Sequence, residues 1–452
     1  MKALTKGHEG KLILFFAIPM LLGNFFQIFN TLVDSIVVGN YLGKSALAAI
    51  GSAFPVIYAL VSLIIGISSG ISIVISQYFG AKDFFNVKRA VDTAFIFLFG
   101  SSLILGVVGI IFAPSIFSLL NLDAEALPEA IIYMRIYLAG IVFMAGFNGA
   151  MAILRGLGDS KTPLYFIIIT SIINIVLELI LIVWFKMDIK GAAIATIGSQ
   201  VIGFIISVIY LNKTHEVVRI KIRKIVFDIL IFKQSLKIGL PSGMQQVFVA
   251  FGMVAIISIV NHFGTDAMAA YTIAGRIDSF ASLPAMNFSI ALAAFVGQNV
   301  GAGKLDRVRK GLNFTLIMSS IVAIIVTILV SIFAHDLMEL FTKDSKVVEI
   351  GANYLWIVSS FYIAFTLMFI FTGVLRGAGD TLIPMFITLF SLWVIRIPIA
   401  WFLSARIGIN GIWWAIPIAW FIGLIGSFIY YKTGYWKRKR IVKTPILSEV
   451  IE

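Results

Sequence analysis

Three acids, Asp34, Glu178 and Asp278, sit well inside long apolar stretches of a 452-residue chain. A charge at the centre of a bilayer costs roughly 2.5–3.5 kcal/mol on insertion scales, so each needs a partner or a task. Asn24, Gln27, Thr31 and Asp34 are spaced 3, 4 and 3 apart, which aligns them on one helical face. Thr170, Asn174 and Glu178, four apart each time, form a second stripe. Thr196, Ser199 and Gln200 follow in the next apolar segment. Two carboxylates, an amide oxygen and hydroxyls together suit a hard monovalent cation such as Na⁺. Alternatively, a carboxyl withdrawn from water takes up and carries a proton. The bland reading is that such groups only join helices by hydrogen bonds.

These acids need elements to position them, and the composition says which. Hydrophobic residues make up 60% of the chain, charged residues 13%, and the mean hydropathy is +1.03. That excludes a water-soluble enzyme and a disordered chain. Twelve apolar segments are long enough to cross a bilayer as helices. Their limits are 12–39, 51–77, 91–115, 132–154, 164–185, 191–211, 236–261, 270–297, 311–334, 351–374, 383–404 and 411–431. The first is expected to be a retained helix, not a signal peptide. The fold class is therefore an all-α polytopic membrane protein of twelve transmembrane helices. Of 35 Lys and Arg, 26 lie in the tails, in the even-numbered loops or, for Lys237, at the very start of the span that follows one, which predicts that both termini are cytoplasmic. The loop with Asp123, Glu125 and Glu129 is then external. The basic run Lys437 to Arg440 reads as a lipid-surface anchor, not a nucleic-acid site.

The chain also repeats itself at an offset of 221 residues. Leu154-Arg155-Gly156-Leu157-Gly158-Asp159 returns as Leu375-Arg376-Gly377-Ala378-Gly379-Asp380, with Pro163 as Pro384. Gln77, Gly80 and Ala81 return as Gln298, Gly301 and Ala302, and Asn40 and Gly43 as Asn261 and Gly264. Six spans per repeat make the two halves parallel, related by an axis along the membrane normal. The expected division is 1–225 and 226–452, across a basic linker that includes Arg219, Lys221, Arg223 and Lys224.

With Asn30 to Gly39 (Asn-Thr-Leu-Val-Asp-Ser-Ile-Val-Val-Gly) and the paired Leu-Arg-Gly-x-Gly-Asp loops, the chain resembles multidrug and toxic-compound extrusion (MATE) transporters from about Lys11 to Lys432. The resemblance implies two six-helix lobes around a central cavity. It implies a secondary antiporter that exports organic compounds, usually cationic and amphipathic, against inward H⁺ or Na⁺. The family's first-lobe cation site matches Asp34, Asn174, Glu178 and Thr196, with Glu178 standing where Asp is commoner. It implies a bacterial inner-membrane location, no cofactor beyond the coupling ion, and no nucleic-acid partner. A monomer is expected.

Candidates for the cavity are Asn24, Gln27, Thr31, Gln200, Met244, Gln245, Gln246, Arg276, Asp278 and Arg396. Arg276 and Asp278 are expected to form a structural ion pair or an external gate, and Arg396 a structural pairing. Seven of eight Trp lie beyond residue 350, and an interfacial belt explains them best. There is no Cys, no close His and acid cluster, and no phosphate-binding loop motif, so a transition-metal centre, an ATP-driven pump and an intramembrane enzyme are unsupported. The alternative reading is a lipid-linked precursor flippase. It would need a strongly cationic cavity, yet only Arg135, Arg276 and Arg396 lie in or near the spans.

Overall fold

The structure, a computed structural model, describes residues 3–119, 127–214, 216–220 and 224–442. Lys221, Arg223, His215, Asp123 and Glu125 lie outside the described residues. Among those described there is helix and loop but no strand. The helices are α1 (Glu9–Tyr41), α2 (Gly43–Gly80), α3 (Phe84–Leu119), α4 (Leu127–Ala139), α5 (Ile141–Gly156), α6 (Lys161–Leu179), α7 (Asp188–Thr214) and α8 (Ile229–Asn261). The second series is α9 (Thr265–Gly301), α10 (Leu305–Ile332), α11 (Ala334–Glu339), α12 (Ser345–Ser359), α13 (Tyr362–Gly377), α14 (Leu382–Leu389), α15 (Ile397–Ile407) and α16 (Ile409–Thr433).

Ten spans are single runs of helix, and two bent pairs raise the count to twelve. The bent pairs occupy the segments expected as single spans at 132–154 and 351–374. α4 and α5 meet at 50°, and α12 and α13 at 49°. At the first corner Gly140 is pressed against Ile197, where a Cβ would come within 2.1 Å of a methyl group. The span expected at 383–404 is also irregular. A π-helical stretch, Phe390–Arg396, separates α14 from α15, and a shorter one, Ile180–Trp184, follows α6.

The helices form two compact units. One holds Leu22–Gly243, the other Ala3–Leu21 and Met244 onward. The repeat boundary expected near 225 and the compact units thus divide the chain differently. The start of α1 belongs to the second unit and the first half of α8 to the first. Within the first unit α5 packs on α2, α3 and α7, and α6 on α7. Within the second unit the same scheme recurs, with α13 on α9, α10 and α16, and α15 on α16. The repeated loops are alike in detail. The Asp159 N–H bonds the Leu154 carbonyl and the Asp380 N–H the Leu375 carbonyl, each at 2.9 Å. Gly158 (φ 85°) and Gly379 (φ 94°) supply the left-handed backbone that ends α5 and α13. Asp159 then caps α6 through the N–H groups of Lys161 and Thr162.

In the first unit α2 and α8 approach closely. Gly66 and Gly70 face Gly239 and Gly243, each pair four apart. A Cβ on Gly66 would lie 2.2 Å from the Gly243 backbone, and one on Gly70 2.5 Å from the Gly239 nitrogen. Small residues at this spacing let backbones meet in a membrane, where lipid gives helices no hydrophobic reason to associate. Gly70→Val is therefore expected to cost about 3 kcal/mol, the upper range for overpacking, because backbone cannot move aside as a side chain can. Thermal unfolding of purified protein checks this; an unchanged midpoint would show that the crossing tolerates a larger gap.

Asp228 anchors the start of α8 to α3. Its carboxyl accepts the N–H groups of Leu230 and Ile231 at 3.0 and 3.1 Å and pairs with Arg89 at 2.8 Å. Desolvation opposes its charge. The Ile231 N–H, Arg89 and the Leu230 N–H outweigh that and hold the carboxyl below its ordinary range. A lowered folded-state value stabilises the protein above the unfolded value, about 3.9, and the gain is lost as pH falls through the folded one. Asp228→Ala should cost about 1 kcal/mol at pH 7, the usual worth of such a cap. The deficit should begin to shrink in melts taken below about pH 4 and vanish only once the pH falls below the folded-state value.

Candidate functional site

The polar stripe of α1 and that of α6 meet in the first unit. Asp34 lies seven residues before the end of α1, roughly 10 Å along the helix. Glu178 is 2% exposed and sits just ahead of the π-helical stretch that ends its span. Such stretches widen a helix and recur at functional sites. The Asp34 and Glu178 carboxyls lie within hydrogen-bonding reach of each other. Two carboxyls can bond directly only with a proton between them, and otherwise repel unless a cation intervenes. Glu178 Oε2 is buried and has no hydrogen-bond partner among the described residues.

Amides surround the acids. Asn30 Nδ2 donates to Asp34 Oδ2 at 3.3 Å and to Asn174 Oδ1 at 2.7 Å. The opposite orientation of the Asn174 amide also fits. Its nitrogen then donates to Asp34 Oδ1 at 3.0 Å, and its oxygen accepts the Thr196 N–H at 3.3 Å. The Thr196 hydroxyl donates to the Ala192 carbonyl at 3.1 Å, which leaves its oxygen lone pairs free to face a cation. The acids open on a cavity of about 230 Å³. Thr31, Tyr58, Tyr133, Tyr137 and Thr196 are among the residues that line it with Asp34 and Glu178. Among the described residues no cluster of three His, Cys, Asp or Glu could hold a metal ion. A cation held here would use the mixed set of carboxylate, amide and hydroxyl oxygens. Asp34, Asn174, Glu178 and Thr196, four residues expected to act together, are thus assembled from three helices.

The other candidates fall elsewhere. Thr31 lines the cavity, whereas Gln27 is exposed and Asn24 half-buried. Thr170 spends its hydroxyl on the Phe166 and Ile167 carbonyls. Gln200 Oε1 is buried without a partner, away from the cavity lining. In the second unit Gln245 is engaged at both ends. It donates to Thr388 at 2.6 Å and accepts Arg376 at 2.5 Å. Gln246 is half-buried and Met244 exposed. Arg276 is exposed and lines an open cavity of about 630 Å³ with Asn261, Thr265 and Thr272. It does not pair with Asp278, contrary to expectation, because two residues along a helix point the side chains apart. Asp278 instead faces Tyr362 and the field of Arg396. Trp413 departs from the expected belt. It is fully buried, stacked 5.7 Å from Tyr271 and edge-on to Tyr354 at 4.9 Å, whereas Trp401 is 70% exposed.

Asn30, Tyr133 and Tyr137 were not foreseen. Asn30 stands four residues before Asp34, a spacing that shares a helical face. The tyrosines stand four apart in α4.

An all-helical chain with repeated six-span units and a polar, acid-bearing cavity inside apolar helices has the form of a polytopic membrane transporter. The family model MatE matches residues 19–180 and again 241–402, one match per repeat. The probable multidrug resistance protein YoeA of Bacillus subtilis (strain 168) is 32% identical over 437 residues, 95% of this chain and 94% of that protein. YpnP of the same organism, also a probable multidrug resistance protein, is 32% identical over 97% and 98%. A solved structure described as the outward-facing conformation of a multidrug resistance MATE family transporter of the MOP superfamily aligns with a TM-score of 0.89. It is 26% identical, over 97% of this chain and 99% of that one. The chain belongs to the MATE family of multidrug efflux transporters.

Asn30 offers a test of the site that leaves both acids in place. Removing a hydrogen bond to a charged group costs roughly 1.5–3 kcal/mol, so Asn30→Ala should raise the half-saturating concentration of the driving ion about tenfold or more. Transport measured against ion concentration checks this. An unchanged midpoint would detach Asn30 from the site.

Proposed function

We propose that this chain is a cation-coupled antiporter that exports organic compounds, cationic and amphipathic in character, in exchange for inward H⁺ or Na⁺. The observation that carries the reading is the meeting of Asp34 and Glu178 in one cavity among apolar helices. A proton or a monovalent cation relieves their repulsion. Its arrival and departure then bias the first unit between two states, which is the requirement for alternating access. One charge moved through 100 mV supplies about 2.3 kcal/mol, enough to drive a useful substrate gradient. The relatives named as multidrug resistance proteins support organic cargo. The excess of Lys and Arg in the tails and even-numbered loops supports cytoplasmic termini in a bacterial inner membrane. The protein acts as a monomer with no cofactor other than the coupling ion. The described residues that line the cavity of the acid pair include no Lys or Arg, which disfavours a phosphate-bearing lipid cargo.

Asp34→Asn keeps the shape of the side chain and removes its charge. Ion-driven efflux from proteoliposomes should fall roughly 5–150-fold, the span for losing 1–3 kcal/mol of coupling. The thermal midpoint should stay close to that of the parent protein. Efflux of organic cations under separately imposed Na⁺ and H⁺ gradients identifies the ion. Full ion-driven efflux by the variant would overturn the assignment.

A further inference from the structure

The second repeat carries its own ionisable cluster, built in the register of the first. At the offset of 221 residues, Tyr133 corresponds to Tyr354, Ile57 to Asp278 and Asn174 to Ile395. Tyr133 and Ile57 line the cavity that holds Asp34 and Glu178. Tyr354 faces Asp278 and Arg396, the neighbour of Ile395. Where the first repeat sets acid against acid, the second sets acid against arginine. Asp278 Oδ1, Arg396 Nε and the Tyr362 hydroxyl are buried and without a hydrogen-bond partner among the described residues. They come from α9, the π-helical stretch after α14 and the first residue of α13 beyond its bend. Trp413 Nε1 is buried and unpartnered beside Tyr354. The cluster thus has charges of both signs and no salt bridge closed between them.

We propose that Arg396 is a built-in counter-cation, tethered where the first repeat takes an exchangeable one, and that its presence closes a latent monovalent-cation site at Asp278. The physical ground is charge balance. An acid among apolar helices needs positive charge, and a guanidinium always carries it. With Arg396 near, Asp278 has no need of a small cation from solution. Remove the arginine and the same carboxylate, with the Tyr362 hydroxyl facing it, becomes a receptor for H⁺ or Na⁺. The inference goes beyond the coupling role of the first repeat and does not depend on it.

The test uses purified full-length protein in a background of Asp34→Asn with Glu178→Gln, which silences the first repeat. Binding of radioactive Na⁺ and uptake of protons are measured in parallel, so that the two cations are told apart. The background should bind neither. Adding Arg396→Gln should create about one site per chain, and Asp278→Asn in the same protein should abolish it. Arg396→Lys, which keeps the charge, should create none. A folded Arg396→Gln protein that gains no cation overturns the proposal. So does a background protein that already binds a cation that Asp278→Asn removes. A cation that binds the background and survives Asp278→Asn would instead count against the first-repeat acids as the coupling site. Should Arg396→Gln fail to fold, thermal melts decide. Neutralising both partners, Asp278→Asn with Arg396→Gln, should give a higher midpoint than either single change, because each single change strands the other charge. A double variant no better than the singles would show that the two groups do not balance each other.

Discussion

A membrane interior does not let an ionised side chain stand alone. Water solvates a charge by tens of kcal/mol, and an apolar medium returns little of it, so a buried acid is protonated, paired or bound to a cation. This constraint orders the chain. Its 22 acids avoid the spans almost entirely, and the few that remain are held in clusters. Helix is the only backbone such an environment accepts without a closed barrel. Polar work must then be done by side chains on facing helices, at three- and four-residue spacing. Asn30, Asp34, Asn174 and Glu178 obey that rule.

The repeats show the constraint met in two ways. In the first unit Asp34 and Glu178 face each other, and no arginine stands among the residues around them. In the second unit Asp278 faces an arginine that cannot leave. The helical scaffold is shared, with a bent span and a tyrosine at matching positions, while the π-helical stretches Ile180–Trp184 and Phe390–Arg396 fall at different points of the corresponding spans. The difference in charge lies in a few side chains. A duplicated fold thus supplies two places for charge, and substitution decides which side chains occupy them.

Much of this was legible in the sequence. Span number, the repeat and the polar stripes that carry Asp34, Asn174 and Glu178 follow from hydropathy, offset and spacing, because helical periodicity is a strong signal when most of a helix is apolar, whereas the grouping of these residues with Thr196 is what the resemblance to MATE transporters implies. Asn30 obeys the same four-residue rule as Asn174 and Glu178. The stripe from Asn24 through Gln27 and Thr31 reaches Asp34 without it, so spacing alone does not single Asn30 out. The bends at Gly140 and at Ser360–Phe361 left no proline to read. At the first of them Gly140 is pressed against Ile197, a contact between residues far apart in the chain. Asp278 and Arg396, whose charges act on each other across the second unit, are far apart in the chain. Arg276, two residues from Asp278, is nearer in sequence yet points elsewhere.

The replacement of Asp by Glu at position 178 is consistent with this geometry. α6 leads into a π-helical stretch immediately after Glu178, which displaces the backbone from the regular helical path. A longer side chain still brings its carboxyl to Asp34 from that backbone, at the cost of one more rotatable bond to order. The amides of Asn30 and Asn174 offset that freedom by fixing Asp34 in place. Asp34 is thus held by amides from both α1 and α6, while Glu178 Oε2 has no hydrogen-bond partner among the described residues, so the two members of the acid pair are not equally fixed.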